Sequence, residues 1–465
     1  MSDPGDSVVE ATRPTPGHPR PYQFPPFERA VLANGLSVLS VHLPGRPLVS
    51  AQLVYLNGAA DEPAAEGGAT VLSARALTEG TDHYDAIALV EATERLGAGL
   101  HADASWDAYT VGVDVPASRL APAFDLLVDV VAHPTFPESE VERIRDERLN
   151  DILQARADAR RRADEAFAAT IYRDDSPYHR PSAGGPSTVA RLDRERLQRA
   201  WTRGLDPART TLVVAGDLAG LEVARMAADL MAGWTRSPGA VEPGPIIARP
   251  TKAGRRLRLV DKPGAPQTEI RVGHVGLPRR IPDFHALSIL GAILGGLFNS
   301  RLNMKLREEK GYTYGAHAGW DLRRAAGPFS ARAAVNTEVT AAALSDLTAE
   351  LDRIRSQRVT DAELRAARDF LIGVFPLRFE TPGPIVQALT GMVIHGLPDD
   401  ELATYRQRID AVSGADVLAA ARAHLDLERA SAVLVGDAAV VASSLEVVGF
   451  GPVEVIRDGE ELVEA

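Results

Sequence analysis

The sequence contains an arginine and a tyrosine, seven positions apart, that could act together in catalysis. Arg307 and Tyr314 lie in the run 306–315, which reads L-R-E-E-K-G-Y-T-Y-G. A fixed guanidinium and a phenol hydroxyl can together stabilise negative charge that develops on an oxygen atom. Gly311, between them, indicates that a helix ends there, so the two side chains would come from different elements.

Simpler interpretations of this pair stay open at the level of the sequence. Arg307 could be an ordinary arginine near a helix C-terminus, where the helix dipole favours a cation. Tyr314 could be a strand residue that covers the core, and Tyr312 is expected to pack. The residue pair therefore predicts a site only together with its surroundings.

The 11 histidines of the chain do not show the spacing of a metal site. No two are placed so that both imidazoles would share one helix face, as local ligand pairs of catalytic zinc sites do. The absence of cysteine excludes thiolate catalysis, cysteine-ligated zinc and iron–sulfur clusters. The histidines are His18, His42, His83, His101, His133, His179, His274, His285, His317, His395 and His424. We expect no metal in this chain.

Composition and charge place the chain among soluble globular proteins of more than one domain. It has 465 residues, 45% of them apolar and 25% charged. The net charge of −12 argues against nucleic acid as a partner, because phosphate binding needs a basic surface. No run approaches the roughly 18 apolar residues that a membrane span needs. Residues 1–26 are proline-rich without an apolar signal region, so we expect a flexible arm and a cytoplasmic protein.

Two pairs of similar segments indicate an internal repeat. The strand-like run 211–217 ends in Gly-Asp, as does the run 432–437. The helix start at 137–146 matches the one at 360–369, displaced by 223 residues. Two independent matches at nearly one offset predict a tandem of two homologous domains.

The predicted fold class is α+β, a tandem of two homologous domains that each have a largely antiparallel sheet covered by helices. The first domain is expected at 27–236 and the second at 255–465. The connector is the Pro- and Gly-rich stretch 237–254, whose composition disfavours helix and central strand.

The pattern of the first domain places strands early and long helices after them. Asn34-Gly35 is a strong hairpin signal between two strand-like runs. Alternation of apolar residues predicts further strands. The predicted strands are 27–33, 36–43, 49–55 and 109–115, and the predicted helices are 68–77, 85–96, 120–131 and 137–170.

The stretch 57–81, which ends in Thr-Glu-Gly-Thr, resembles the first motif of pitrilysin/insulinase-type zinc peptidases (inverzincins). In active members a helix carries H-x-x-E-H before a Gly-Thr, and two histidines with a distant glutamate hold zinc. The motif positions fall here on Val71, Leu72, Ser73, Ala74 and Arg75, and the distant glutamate on Gln154. None of these can ligate zinc well or act as base. Glu147, the upstream helper acid of the family, remains.

The second half is similar to the other signature of that family: glycines, then S-R-L, then L-R-x-x-x-G-x-x-Y. Ser300-Arg301-Leu302 and Gly311 stand in register with it. The resemblance, which covers about residues 27–440, implies that Arg307 and Tyr314 reach toward a scissile peptide bound at the zinc of another subunit. Arg301 is expected to be structural.

The resemblance thus implies a non-catalytic subunit of a heterodimeric zinc metallopeptidase. A homologous partner would carry H-x-x-E-H and the zinc, and a peptide or unfolded polypeptide would be the substrate. A second hypothesis is an inert scaffold or peptide-binding protein of the same fold. A third, an independent hydrolase with Ser73 as nucleophile, lacks a Gly-x-Ser-x-Gly elbow and a nearby histidine.

Overall fold

Twelve strands, arranged in two sheets, form the framework of the protein in a computed structural model that describes residues 17, 20–251 and 254–457. The strands are β1 (Glu28–Val31), β2 (Ser37–His42), β3 (Leu48–Tyr55), β4 (Gly99–Ala104), β5 (Tyr109–Pro116), β6 (Thr210–Gly216), β7 (Arg256–Asp261), β8 (Gln267–Val275), β9 (Ala316–Trp320), β10 (Pro328–Asn336), β11 (Ser431–Gly436) and β12 (Val453–Ile456). The first sheet has the order β1-β2-β6-β3-β5-β4 and the second the order β12-β7-β11-β8-β10-β9.

Helices alternate with groups of strands in both halves. The α-helices are α1 (Ala69–Ala76), α2 (Ala86–Arg95), α3 (Leu120–Ala132), α4 (Glu138–Ala157), α5 (Ala159–Ile171), α6 (Pro186–Val189), α7 (Arg194–Gly204), α8 (Val223–Leu230), α9 (Phe284–Gly291), α10 (Thr340–Ser356), α11 (Asp361–Leu377), α12 (Pro382–His395), α13 (Glu401–Ala411), α14 (Gly414–His424) and α15 (Ala438–Val448). Two π-helical segments, Ala292–Gly296 and Asn303–Glu309, follow α9. None of the helices within the described ranges is long and apolar enough to cross a membrane.

The two sheets repeat one topology. Strand β2 is parallel to β6, and the further neighbours β3, β5 and β4 are antiparallel. In the second sheet β7 is parallel to β11, and β8, β10 and β9 continue antiparallel. The sheets differ in their outermost strand, since β1 is antiparallel to β2 whereas β12 is parallel to β7. The predicted α+β tandem of homologous domains is therefore confirmed.

Each sheet buries one face under helices of its own half and the other face under a helix of the opposite half. Apolar residues of β2, β3 and β6 pack against Ile385, Val386 and Leu389 of α12. In return, Phe167 of α5 lies in a cluster with apolar residues of β7 and β11. The two halves have thus exchanged helices, and burial of apolar surface joins them.

Buried polar groups fix the same two contacts. On β3, the Gln52 side chain is 2% exposed, and its Oε1 accepts a hydrogen bond from Gln387 Nε2 of α12 at 2.9 Å. At the equivalent position of β8, Arg271 is also 2% exposed and donates to Asp164 of α5 at 2.6 Å and to Glu269 at 2.8 Å. Polar groups in such places must be paired, so they specify how each helix sits on the opposite sheet.

The predicted helix at 137–170 is two helices. Asp158 interrupts it with extended backbone, and its side chain accepts hydrogen bonds from the Arg160 and Arg161 N–H groups as the N-cap of α5. This break allows α5 to leave α4 and cover the second sheet. The hairpin around Asn34-Gly35 is confirmed. Strand β4, one edge of the first sheet, lies outside the predicted strands, because four of its six residues are Gly, Ala or Asp, which have a low propensity for strands.

The stretch predicted as an arm lies partly outside the described residues, at 1–16 and 18–19. Of the remainder, Phe24 is 5% exposed and packs edge-on to Phe379 at 5.0 Å between ring centroids. Arg406 donates to the carbonyl oxygens of Arg20 and Tyr22. Residues 20–26 therefore lie against the cluster that joins the halves. In the predicted connector 237–254, residues 252–253 are likewise outside the described ranges, as is 458–465 at the other terminus.

Substitutions can show how much the buried Arg271–Glu269 pair and the more exposed Arg271–Asp164 pair each contribute to stability. We expect Arg271→Ala to lower the free energy of unfolding by about 3 kcal/mol, because Glu269 would remain largely buried without its cation. Asp164→Asn should cost less than about 1 kcal/mol, since the Asp164 side chain is 51% exposed. Chemical denaturation of both variants measures the difference. Equal losses would contradict the role given to Arg271.

Candidate functional site

Helix α1, which carries the metal-motif positions, is anchored at its N-terminus by a buried carboxylate. Glu62 accepts hydrogen bonds from the Gly68 and Thr70 N–H groups at 2.8 and 2.9 Å and pairs with Arg180 at 2.9 Å. Burial of the Glu62 carboxyl raises its pKa, an effect that the Arg180 guanidinium opposes. An anion at a helix N-terminus satisfies the free N–H groups and the helix dipole, so α1 is held firmly in place.

The motif positions themselves offer no ligand set for a metal. Val71 is half-buried and packs against the first-domain core, and Ala74 is completely buried in that core. Arg75 and Gln154 are exposed. Ser73 is completely buried, so a substrate cannot reach its hydroxyl. A valine, an alanine, a guanidinium and an amide do not fit zinc, which takes imidazole, thiolate and carboxylate groups.

The position of the second imidazole holds a salt bridge instead. Arg75 Nη2 lies 2.8 Å from Glu147 Oε2 of α4, so the family's helper acid pairs with the cation that replaces the imidazole. Arg143 binds the other oxygen of Glu147 at 2.7 Å and Glu79 at 2.8 Å. Hydrogen bonds from Arg143 and then Arg75 lower the pKa of Glu147. The network links α1 to α4 without a metal.

Tertiary structure brings two histidines together that the sequence keeps 50 positions apart. The ring centroids of His83 and His133 are 5.8 Å apart. His83 Nδ1 lies 2.6 Å from Asp129 Oδ1, and His133 Nδ1 lies 3.8 Å from Asp82 Oδ2. Across the described ranges, no group of three or more histidine, cysteine, aspartate or glutamate side chains is arranged to hold a metal ion. The pair is a surface contact that local spacing could not have revealed.

The segment before Arg307 and Tyr314 is fixed by the side chain of Asn303. This amide donates to the carbonyl oxygen of Leu297 at 3.1 Å and accepts from the Ala316 N–H at 2.9 Å. It thereby ties the π-helical segment to the start of β9. Gly295 is needed where that strand crosses, because a Cβ there would lie 2.1 Å from the Ala318 nitrogen.

Arg301 ties the same segment to α11, as the sequence indicated. It is 8% exposed and binds both carboxylate oxygens of Glu363, at 2.7 and 3.1 Å. Glu363 also closes the capping box of α11 with Thr360. Burial acts to raise the pKa of Glu363, but hydrogen bonds from Arg301 and Thr360 outweigh it and lower that pKa from 4.5 to about 2.

Arg307 and Tyr314 project from this fixed frame. Arg307 lies in the segment Asn303–Glu309, with its guanidinium 4.5 Å from the ring centroid of Phe298. Its side chain is 37% exposed, and its Nε lies 3.4 Å from the exposed Glu308. Gly311, with φ +64°, turns the chain toward β9. Tyr314, just before that strand, is 91% exposed, whereas Tyr312 packs against the core. The core-covering tyrosine is therefore Tyr312, and Tyr314 is free to meet another molecule.

Both halves match models of one peptidase family. The first match, "Insulinase (Peptidase family M16)", spans residues 37–181. The second, "Peptidase M16 inactive domain", spans residues 191–371. The crystal structure of a peptidase M16 inactive domain from Pseudomonas fluorescens has the same fold, with a TM-score of 0.82 at 24% identity, covering 88% of this chain and 98% of that one.

Some relatives of this chain are named as peptidases and others are not. A protein of Mycobacterium leprae named an uncharacterized zinc protease is 28% identical over 418 residues, 87% of this chain and 91% of the relative. The Helicobacter pylori protein named non-peptidase homolog YmxG is 20% identical, with 82% and 87% covered. The human cytochrome b-c1 complex subunit 1 is 24% identical, with 61% and 59% covered.

Metal analysis of the purified chain tests the interpretation of the motif positions. We expect no stoichiometric zinc, because no two of Val71, Arg75 and Gln154 can serve as good ligands. A variant with Val71→His, Arg75→His and Gln154→Glu introduces three ligands, two imidazoles and a carboxylate, and is the positive control. One tightly bound zinc ion per parent chain would contradict the conclusion that these positions cannot hold a metal.

The Arg301–Glu363 pair should make stability depend on pH. A lowered pKa in the folded state means that the stabilisation is present above the ordinary value of 4.5 and is lost as pH falls toward 2. Glu363→Gln should therefore lower the free energy of unfolding by about 1–2 kcal/mol at pH 7, because solvent screens part of the pair, and by little near pH 2. Denaturation curves across this range measure it, with exposed Glu380→Gln as the control. A deficit in the Glu363→Gln variant that does not shrink with falling pH would contradict this assignment.

Proposed function

Because the chain belongs to the insulinase family, peptidase family M16, and lacks that family's metal ligands, we propose that it is the non-catalytic subunit of a heterodimeric zinc metallopeptidase. In this proposal a homologous partner carries H-x-x-E-H and the zinc. This chain binds the peptide and stabilises the scissile carbonyl. The isolated chain is then inactive.

The exposure of Tyr314 is the observation that carries the proposal. A tyrosine that is 91% exposed contributes little to packing, yet it stands seven residues after an arginine on a segment that several buried hydrogen bonds hold in place. Such rigidity is what stabilisation of a transition state requires, because donors that are already aimed need not reorganise. Donors on a mobile loop would first have to become ordered, which would reduce this stabilisation.

Free sheet edges supply the means to bind an extended peptide. Among the described residues, β4 pairs with β5 alone and β9 with β10 alone. Edge strands present unpaired N–H and C=O groups, to which a peptide can add as a further strand. Tyr314 directly precedes β9, so a peptide bound along that edge would pass close to its hydroxyl.

The division of labour between the two subunits follows from their side chains. Zinc in the partner would activate water and polarise the peptide carbonyl. As water attacks, negative charge develops on the carbonyl oxygen. In this chain, Arg307 would neutralise that charge and the Tyr314 hydroxyl would donate a hydrogen bond to it. A cysteine-free chain needs no oxidising compartment, and we propose the cytoplasm as the location.

A second candidate is an inert scaffold of the same fold. The names of two relatives favour it, since one is a non-peptidase homolog and the other a subunit of the cytochrome b-c1 complex. Within this chain, the stacking of Arg307 on Phe298 gives that guanidinium a contact of its own. The scaffold leaves the exposure of Tyr314 without a purpose, so we rank it second.

Reconstitution with a zinc-bearing partner tests the proposed role. We expect Arg307→Ala and Tyr314→Phe each to lower the turnover number for a peptide on the order of 10²-fold, the cost of losing one donor to a developing oxyanion. Subunit pairing should be unchanged. Steady-state kinetics and analytical ultracentrifugation measure the two effects.

Tyr312→Phe is the matched control. It also removes a tyrosine hydroxyl, but from a residue two positions before Tyr314 whose ring packs against the core. It should leave turnover near the parent rate. If Arg307→Ala and Tyr314→Phe also retain the parent rate, the catalytic-support role is wrong and the scaffold is favoured. If no zinc-bearing homolog pairs with the chain, the heterodimer itself is excluded.

A further inference from the structure

A cavity of about 650 Å³ opens among the helices of the second half, between the ends of α9, α11, α12 and α13. Its lining includes no residue of the metal-motif helix or of the loop with Arg307 and Tyr314. The volume falls within the range of roughly 300–1,000 Å³ that is usual for small-molecule sites. The lining residues are Arg279, Phe284, Phe375, Arg378, Phe379, Gly383, Pro384, Gln387, Ala388, Glu401, Leu402 and Tyr405.

Aromatic rings form much of the cavity wall. Phe375 and Tyr405 are stacked, with centroids 4.6 Å apart and an interplanar angle of 14°. Phe379 meets Phe375 edge-on at 4.9 Å. The Phe284 ring lies opposite a cation, since the Arg279 guanidinium is 3.3 Å from its centroid. Walls of this kind suit a flat apolar body, because aromatic rings stack on one another in fixed geometries.

The charge of the lining is positive. Its one carboxylate, Glu401, is neutralised by Arg279 at 2.7 Å and by Arg408 at 3.1 Å. Arg378 is exposed at the cavity, and no carboxylate in the described parts of the chain forms an ion pair with it. Burial raises the pKa of Tyr405, so its hydroxyl stays a neutral donor. A cation without a partner beside aromatic walls favours an anion.

We propose that this cavity is a binding site for a flat aromatic carboxylate, which packs against the aromatic wall and places its charged group on Arg378. The site is separate from the proposed peptide-binding role and does not depend on it. Arg279 cannot take the place of Arg378 without giving up Glu401, so Arg378 is the residue that distinguishes an anion from a neutral ligand of the same shape.

Two fluorescent probes that differ only in charge test the proposal. 1-Pyrenebutyrate and 1-pyrenebutanol share one aromatic body, and only the first carries a carboxylate. We expect saturable binding of pyrenebutyrate at one site per chain, with the alcohol bound roughly tenfold more weakly. Arg378→Gln should weaken pyrenebutyrate by about the same factor and leave the alcohol unchanged. Fluorescence anisotropy titrations of the full chain measure all four affinities.

A matched pair of glycine substitutions locates the bound probe. Gly383 lines the cavity, and a Cβ there would meet nothing within 4 Å, so Gly383→Leu extends into the open space. Gly373, on exposed α11 backbone, also has nothing within 4 Å but does not line the cavity. Leucine suits the helix at 373, whereas Pro384 restricts a side chain at 383, so thermal unfolding checks that each variant folds. Gly383→Leu should abolish pyrenebutyrate binding, and Gly373→Leu should leave it intact.

Three results would overturn the proposal. Equal affinity for the two probes would mean a nonselective apolar cleft. Binding that survives Gly383→Leu would place the probe elsewhere. Absence of saturable binding by the folded parent chain would mean that the cavity is not a site. Loss of binding in Gly383→Leu together with charge selectivity that depends on Arg378 would support it.

Discussion

Burial of the second face of each sheet, by a helix from the opposite half, is the constraint on which the rest of the structure depends. Each sheet is covered by its own helices on one side only. The other side carries buried apolar residues of β2, β3 and β6 in one half and of β7 and β11 in the other. Neither face could stay open to water at reasonable cost. The exchange of α5 and α12 therefore makes the two halves one structural unit.

This exchange also explains where polar residues are tolerated inside. Gln52 and Arg271 occupy equivalent positions on β3 and β8, and both are almost completely buried. One is satisfied by an amide of α12 and the other by carboxylates, including Asp164 of α5. The chemistry of the pairs differs although their place in the fold is the same. In both cases the buried polar side chain is paired with a helix of the opposite half, because a buried polar group needs a partner.

The two candidate regions differ in the side chains that their frames carry. Around α1 the frame is intact, since Glu62 still holds the N-terminus, but the groups that would hold zinc are gone. A salt bridge between Arg75 and Glu147 links the two helices there. Around β9 the frame and the exposed groups both remain: Asn303 and Arg301 fix the segment, and Arg307 and Tyr314 stand out from it.

The sequence by itself determined the class of fold, the tandem repeat, the family and the loss of the metal ligands, because these depend on residue identity and local spacing. Hydrophobic alternation found most strands of the first half, and the acidic start of 137–146 found its helix. The motif register predicted that Tyr312 packs, but it left open whether Tyr314 covers the core, and only the tertiary structure shows that Tyr314 is exposed. It alone revealed the break at Asp158, the pairing of Arg75 with Glu147, and the aromatic cavity around Tyr405. The salt bridge and the cavity join residues far apart in the chain, so their free energy depends on how whole elements pack, which no local pattern records.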